Sequence, residues 1–431
     1  MSGPAARADR RPGALARVLL LGPVVFLLIS CSPSPAATSP PAASVSSSPS
    51  PSSGAAETQT TLDAVSTAVL QRDRAAFDEQ ISRRDAAFAP VADRIYDLGE
   101  APLSLLSFRL RPQRHDLAGA RRELLGSRAF VQPVAVAWRL TGDTGTAEHL
   151  LWLTFLPVGA SIEIAGAADG PADRQAQPIW LLQPVAVEQQ GRTTVLADPR
   201  TPLAQWARRG TAAAAAVERR LSASLDPRWA GDLVLEVPGS GQLFEQVLGV
   251  TPGSYAGIAA VAWPEGPDPA TAAIRVVVNP EVSDQLDSQG LAVLLVHEAV
   301  HVATRSAASP APTWLVEGLA DFVAYQAHPQ TAKAAAAALL QQVSERGGPK
   351  ALPADADFTP TAIDLSSSYA QSWLACRFLA QTYSPARLDR FYREVSSGTA
   401  VEQASRSVFG LSLAELTTRW SRYLESAARQ R

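Results

Sequence analysis

The sequence has few of the residues that hold small secreted folds together. Its 431 residues include two cysteines, Cys31 and Cys376, which excludes a disulfide framework and a four-cysteine metal site. It contains five histidines. Basic and acidic residues nearly cancel, 38 against 41, for a net charge of −3. This balance gives no electrostatic reason to expect nucleic acid as a partner.

Long apolar runs are also scarce. The apolar run near the N-terminus covers residues 18–30 and reads VLLLGPVVFLLIS, whereas a membrane-spanning helix needs about 20 apolar residues. Four arginines precede it within residues 1–17. A basic start followed by a short apolar run predicts a signal peptide over residues 1–30. No later stretch approaches the length of a transmembrane helix.

The residues that end this apolar run resemble a bacterial lipobox. Leu28, Ile29 and Ser30 stand directly before Cys31, and the resemblance implies that Cys31 is acylated and anchors the chain to a membrane on its extracytoplasmic side. The alternative is an ordinary signal peptide with a chance cysteine. Residues 32–57 hold ten Ser and six Pro and no aromatic residue. That composition predicts a tether over residues 31–59 rather than a core.

The first globular segment is expected over residues 60–200. Leu62, Val65 and Val69 recur at helical steps, and a second short helix is expected near residues 88–98. Aliphatic and aromatic runs between turn clusters then predict strands at residues 104–110, 132–140, 149–156, 161–165 and 180–187. Helices followed by antiparallel strands predict an accessory α+β domain. Its order resembles the curved-sheet cone fold of the nuclear-transport-factor type, and no motif in it indicates a function.

A second α+β domain is expected over residues 201–431. The turn-rich sequence DPRTP at residues 198–202 marks the boundary. Strands are predicted at 232–238, 257–263 and 273–280, with helices at 203–225 and 241–248. The remainder predicts helices at 288–304, 313–327, 330–345, 367–383, 385–396, 400–408 and 412–428. The expected fold is therefore a small mixed sheet followed by helices.

The helix at 288–304 contains the sequence HEAVH at residues 297–301. Histidines four residues apart project from one helix face, so His297 and His301 can both point a ring nitrogen at one metal ion. Glu298 between them can take a proton from the attacking water. The neighbouring positions are apolar, and unpaired His and Glu would be costly to bury there. The alternative is a surface helix with coincidental spacing.

Two histidines leave a zinc site incomplete, because catalytic zinc usually has three protein ligands and a water. The next helix, with Thr313 as its expected N-cap, carries Glu317 and Asp321 four residues apart on one face. HEAVH followed by WLVEGLADFVA resembles the gluzincin metallopeptidases of the peptidase MA-like group. The resemblance implies a zincin-like fold, zinc as cofactor, Glu317 as third ligand and Asp321 as the acid that orients a ligand histidine.

The resemblance continues in layout through the C-terminal helices, which look like those of small actinobacterial members of this group. Tyr369 stands where some gluzincins have a tyrosine that stabilises the developing oxyanion. The alternative, which the sequence favours, is a tyrosine packed at the start of a helix. No glycine-rich exopeptidase motif is visible, so exo- and endopeptidase action both remain open.

Together these features predict a membrane-anchored extracytoplasmic zinc peptidase that hydrolyses peptides or proteins. The strand near residues 257–263 is a candidate for binding the substrate backbone by strand addition. The rival hypothesis is a non-catalytic lipoprotein with a structural or degenerate zinc site, whose first domain binds a ligand or partner. A fourth protein ligand would favour that rival, because structural zinc sites are normally closed by four protein ligands.

Overall fold

The computed structural model describes residues 53–171, 175–221, 229–326, 328–359 and 362–430. The predicted signal peptide, Cys31 and the tether up to residue 52 lie outside these residues. The first described helix begins at Ser53, so residues 53–59, expected as the end of the tether, are helical.

The first half of the chain is a curled antiparallel sheet packed against helices, as the sequence predicted. Its strands run in the order β1-β3-β4-β5, with β2 beside β3. The helices are α1 (Ser53–Gln71), α2 (Arg74–Asp78), α3 (Ala89–Asp97), α4 (Gly119–Leu125) and α5 (Ile179–Leu182), and the strands are β1 (Leu103–Leu110), β2 (His115–Asp116), β3 (Phe130–Leu140), β4 (Ala147–Val158) and β5 (Ser161–Gly166).

The second half opens with a mixed sheet. Its strands are β6 (Ala186–Gln190), β7 (Thr193–Ala197), β8 (Leu233–Val237), β9 (Ala260–Glu265) and β10 (Ala273–Val278). They run in the order β6-β7-β8-β10-β9, with parallel pairing at β7–β8 and β8–β10. Helix α6 (Leu203–Arg220) follows β7, and α7 (Gly241–Leu248) follows β8.

The rest of the chain is helical, as expected. Its helices are α8 (Pro280–Ser283), α9 (Ser288–Thr304), α10 (Thr313–Tyr325), α11 (Pro329–Arg346), α12 (Leu365–Thr382), α13 (Pro385–Ser396), α14 (Val401–Phe409) and α15 (Leu413–Arg429). None of the helices in the described part of the chain combines the length and the apolar composition that crossing a bilayer requires.

One strand prediction, for residues 180–187, is wrong. The segment divides into the short helix α5 and the start of β6, and β6 belongs to the second sheet. Pro184 lies between the two elements, and proline removes the backbone donor that a continuous strand would need. The second sheet therefore begins at Ala186, on the N-terminal side of the turn at 198–202 that the sequence predicts as a domain boundary.

The second sheet is covered on both faces. Along β10, Val276 and Val278 face a core shared with α9 and the other C-terminal helices, whereas Val277 faces the opposite side. On that side Val277 joins one continuous core with Trp138 and Trp180 of the first half. Since successive strand residues point to opposite faces, the same strand holds the helical half and the first sheet together.

A fully buried arginine lies where the two halves meet. The Arg275 guanidinium on β10 donates to Asp143 of the first half (2.8 Å), to Glu265 on β9 (2.7 Å) and to Glu236 on β8 (3.1 Å). Its other contact is the Trp138 ring, whose centroid lies 3.7 Å from Cζ. A buried guanidinium is tolerated only when its charge is compensated in this way.

The pKa values of the two glutamates beside this arginine are shifted in opposite directions. Burial, together with the charge of Glu265, raises the pKa of Glu236 well above its ordinary value. Burial opposes the ionisation of Glu265 as well, but Arg275 and His149 outweigh it and hold the pKa of Glu265 below its ordinary value. Glu236 therefore keeps its proton to higher pH than Glu265 does.

This difference predicts opposite outcomes for two isosteric substitutions. At a pH above the ordinary pKa of glutamate, the unfolded chain releases the Glu236 proton, whereas the folded wild type keeps it. The free energy of unfolding of the wild type therefore falls by up to about 1.4 kcal/mol per pH unit until the pH reaches the folded-state pKa of Glu236. Glu236→Gln should therefore gain stability relative to the wild type from pH 5 to pH 7, as measured by urea unfolding. Glu265→Gln should lose about 3 kcal/mol or more, because it removes a charge that Arg275 needs. Better tolerance of Glu265→Gln than of Glu236→Gln would contradict the assignment.

Candidate metal centre

Helix α9 carries the two histidines of HEAVH. It begins after Asp287, whose side chain accepts a hydrogen bond from the Gly290 N–H (2.7 Å) and satisfies one of the free donors of the first turn. It ends at Arg305, whose backbone has the left-handed conformation (φ +47°). The helix matches the predicted span of 288–304, and it places His297 and His301 one turn apart.

Helix α10 brings Glu317 and Asp321 to the same place. The expected N-cap, Thr313, is instead the first helical residue, and Pro312 stands in the cap position without a side-chain hydrogen bond. The cap comes from another part of the chain, because the Thr313 N–H donates to Asp355 Oδ1 (2.8 Å). The prediction of Thr313 as N-cap is therefore wrong, although the helix begins where it was expected.

Gly318 allows α10 to approach α12 closely just after Glu317. A Cβ atom at this position would lie 2.4 Å from the carbonyl oxygen of Ser372 and 2.9 Å from Cys376 Sγ. Any larger residue would push the two helices apart. The glycine thus fixes the depth at which Glu317 enters the interior.

Three side-chain groups converge between α9 and α10. The Nε2 atoms of His297 and His301 lie 2.9 Å apart, and the carboxylate of Glu317 lies 3.2 Å from the first and 3.6 Å from the second. Ligand atoms at tetrahedral corners, with zinc bonds of 2.0–2.2 Å, are separated by about 3.3 Å. The three observed distances bracket that value.

Asp321 fixes the orientation of one of the rings. Its Oδ1 lies 2.9 Å from Nδ1 of His297. Since a carboxylate oxygen accepts, Nδ1 is the donor of this hydrogen bond, and Nε2 is the ring nitrogen that faces the cluster. A carboxylate behind a ligand histidine has this role in many zinc sites.

The site is almost closed to solvent, and its charges are strongly coupled. His297, Glu298, His301, Glu317 and Asp321 are each no more than 6% exposed. Burial alone would lower the pKa of His297, but the Asp321 and Glu317 carboxylates raise it well above its ordinary value. Burial would raise the pKa of Glu317, and the two histidines instead hold it below its ordinary value. The surroundings of the His297 imidazole therefore favour positive charge.

Glu298 does not join the converging group but is held beside it. Its Oε2 accepts a hydrogen bond from the backbone N–H of Ala262 on β9 (2.7 Å). Burial raises the pKa of Glu298, and the neighbouring histidines oppose that rise. β9 is an edge strand of the second sheet in the described part of the chain. The carboxylate is thus positioned between the histidine helix and the sheet edge.

The donor set fits a zinc ion. Both carboxylate oxygens of Glu317 are buried without a hydrogen bond, and so is Nδ1 of His301. Among the described residues, His297, His301 and Glu317 form the group of metal-ligand side chains whose ligand atoms lie within 4.8 Å of one another. Two imidazoles and one carboxylate leave a tetrahedral ion one further position, as catalytic zinc sites do.

The remaining site prediction among the described residues concerns Tyr369. Tyr369 lies on α12, is buried, and packs edge-on against Phe358 with 5.4 Å between the ring centroids. This packing is the alternative that the sequence favoured, and a catalytic role for Tyr369 stays a prediction.

Sequence reasoning missed the contact between the Ala262 N–H and Glu298, because no local pattern identifies which strand amide meets a distant side chain.

Comparison with known proteins concerns mainly the helical part of the chain. Residues 269–426 match the family model described as the Peptidase MA superfamily. The matched range covers less than half of the chain and contains both α9 and α10. The match supports a peptidase of the MA type for this part. No curated protein matches the chain.

The hydrogen bond from Asp321 predicts a specific loss of metal affinity. Asp321→Ala removes the acceptor that orients His297, and such changes behind a zinc ligand typically weaken metal binding by about 10–100-fold. Zinc titration of the metal-free protein should show this loss while circular dichroism stays unchanged. Asp321→Asn keeps an acceptor oxygen, so its zinc affinity should lie between those of the wild type and Asp321→Ala. Equal zinc affinity in all three proteins would mean that Asp321 does not orient the ring.

Proposed function

We propose that this chain is a zinc-dependent peptidase of the gluzincin type. His297, His301 and Glu317 hold the zinc ion, and Glu298 is the general base. The observation that carries the proposal is the convergence of the two histidine Nε2 atoms on the buried Glu317 carboxylate, which has no hydrogen bond. The Glu298 carboxylate lies beside this group without belonging to it. The family match over residues 269–426 supports the same reading.

The chemistry divides between the metal and Glu298. A zinc ion held by His297, His301 and Glu317 would polarise a peptide carbonyl and make water nucleophilic near neutral pH. Glu298 accepts a proton from the attacking water and later gives it to the leaving amine, a contribution of typically about 10²–10⁴-fold in rate. The Ala262 N–H holds one oxygen of this carboxylate, which leaves the other oxygen for proton transfer.

Strand β9 supports an extended peptide as substrate. Ala262 stands opposite Val276 in the antiparallel β9–β10 pair, and its N–H turns away from β10 towards Glu298. In an antiparallel ladder the N–H and C=O of one residue point the same way, so the Ala262 carbonyl also faces away from β10, towards the outer edge of β9. A peptide that pairs with this edge would place its scissile bond beside Glu298.

The N-terminal sequence supports attachment to a membrane on its extracytoplasmic side. The apolar run at 18–30 ends at Cys31 in a lipobox-like sequence, and a Ser- and Pro-rich stretch follows. In this proposal the acylated Cys31 anchors the peptidase, and the stretch up to residue 52 acts as a tether between the membrane and α1.

The rival, a non-catalytic protein with a structural zinc site, would be favoured by a fourth protein ligand. Among the described residues, the group that converges has three members. Glu298 is engaged by a backbone N–H instead of completing it. These two observations favour a site with one position left for water.

Two substitutions separate catalysis from metal binding. Glu298→Gln is nearly isosteric and removes no ligand, so zinc content and melting temperature should change little. Peptide hydrolysis should fall by about two orders of magnitude or more, because an amide cannot accept the proton. His301→Ala should lose zinc and stability together, since bound zinc favours the folded state. Zinc content, thermal unfolding and digestion of a peptide library measure the three effects.

The outcomes distinguish the two hypotheses. Wild-type zinc content and activity in both variants would contradict both the site and the enzyme. If only His301→Ala has an effect, and only on stability, the structural-zinc rival is correct.

The anchor has its own test. Cys31→Ser removes the thiol that is acylated, so the variant should leave the detergent phase in a Triton X-114 partition of expressing bacteria and appear in the medium or as unprocessed precursor. Partition of Cys31→Ser into the detergent phase at the wild-type level would refute the lipid anchor.

A further inference from the structure

The turn that joins β3 to β4, residues 141–146, leaves the first sheet and pairs with the second. We call this turn the tip. The Thr146 N–H donates to the Thr271 carbonyl (3.1 Å), and the Thr146 carbonyl accepts from the Ala273 N–H (3.0 Å). Thr271 belongs to the turn between β9 and β10, residues 266–272. The tip is therefore attached by backbone hydrogen bonds to the hairpin that carries the outer strand β9.

Gly145 makes this attachment close. A Cβ atom there would lie 2.2 Å from the Ala272 carbonyl oxygen and 2.3 Å from that of Thr271. The φ angle of Gly145 is not in the left-handed region, so the contact alone requires glycine at this position. Every other residue would force the tip away from the β9–β10 turn.

Arg305 connects the tip to the histidine helix. It caps the C-terminus of α9, four residues after His301. Its Nη1 donates to Thr144 Oγ1 of the tip (3.0 Å), and its Nη2 donates to the Ala272 carbonyl (2.7 Å) and the Pro269 carbonyl (2.8 Å). One buried guanidinium thus joins the end of α9, the β9–β10 turn and the tip.

A charged contact strengthens the same junction. The Asp143 side chain of the tip accepts from Arg275, whose other guanidinium nitrogen donates to Glu265 at the end of β9. These side chains are at most 2% exposed. In a low-dielectric interior such charge-assisted hydrogen bonds define geometry strongly. The tip therefore contacts the β9–β10 hairpin through backbone hydrogen bonds, through close packing at Gly145 and through the ionic hydrogen bonds of Arg275.

We propose that the tip is a positioning element of the peptidase site. Thr144 and Gly145 act through Arg305 and the β9–β10 turn to hold the end of α9 and the strand β9 at the spacing that the hydrogen bond from Ala262 to Glu298 requires. This gives part of the first domain a role in the reaction itself. The inference rests on the proposed peptidase function, because the positioned groups are the general base and the substrate-binding strand of that function.

Two pairs of variants of the full-length, zinc-loaded protein test this role. Thr144→Val is nearly isosteric but cannot accept from Arg305, whereas Thr144→Ser keeps the hydroxyl. Gly145→Ala introduces the clash, and Gly54→Ala makes the same change where no atom lies within 4 Å and φ is not left-handed. Each protein is assayed at saturating zinc, with zinc content measured, so that loss of metal is not mistaken for loss of positioning.

The expected result is the same for the two disruptive variants and differs from that of their controls. Gly145→Ala should lower kcat/KM by about 10- to 100-fold, the effect of a displacement near 1 Å, and Thr144→Val should lower it less. Amide hydrogen exchange should accelerate in residues 260–265 and 301–305. Thr144→Ser and Gly54→Ala should match the wild type in both readouts.

Hydrogen exchange and kinetics together decide the proposal. If Gly145→Ala and Thr144→Val only lower the melting temperature, with wild-type exchange in those two segments, the tip merely joins the two halves and the proposal is overturned. Faster exchange with unchanged kcat and KM overturns it as well. If Gly145→Ala does not fold, the Thr144 pair gives the answer. Exchange needs no activity, so a wild type without peptidase activity refutes the proposed function while the coupling of the tip to β9 and α9 is still measured.

Discussion

The structure depends on the burial of groups that carry charge. A carboxylate or an imidazolium placed out of water is stable only with a fixed partner, and this requirement applies at both the metal centre and the Arg275 cluster. At the metal centre, Asp321 holds one ring of the pair and Ala262 holds Glu298. Glu317 has no hydrogen-bonding partner of this kind. A cation between the histidines and Glu317 would complete the set, which explains why the geometry fits zinc.

The same requirement ties the two halves of the chain together. Arg275 belongs to the second sheet, and its counter-charges come from that sheet and from Asp143 in the first half. Removal of Arg275, or of the acids that surround it, would leave a buried charge without compensation. One face of the second sheet is covered by the first half and the other by the helices, so the candidate site is built on a sheet that is packed on both faces. We infer that this packing would help the proposed base and the proposed substrate strand to keep their spacing.

Local sequence signals predicted the helical half and the proximity of His297 and His301 well. The helix at 288–304 and the short helix at 241–248 have the expected bounds, because periodicity and capping are properties of neighbouring residues. The spacing of His297 and His301 defines their common face without any knowledge of the rest. The identity of Glu317 came from the resemblance to a family, and the structure brings that residue to the histidines.

Contacts between distant parts of the chain could not be read in this way. Strand β7 pairs with β8 although the turn at 198–202 separates the two in sequence, and periodicity does not reveal which strands pair. Asp355 caps α10 from 42 residues away, and Ala262 meets Glu298 across 36 residues. Arg275 stands in a strand that otherwise reads as apolar, so its burial with three acids has no local signature.

The most direct test of the account is a crystal structure of the zinc-loaded protein, with anomalous diffraction recorded on both sides of the zinc edge. If the proposed ligands hold zinc, we expect a single anomalous peak between α9 and α10, about 2.0–2.2 Å from Nε2 of His297, Nε2 of His301 and the Glu317 carboxylate, with a water as fourth ligand and Glu298 beside it. A fourth protein ligand, or the absence of zinc at these residues in protein that binds zinc in solution, would contradict it.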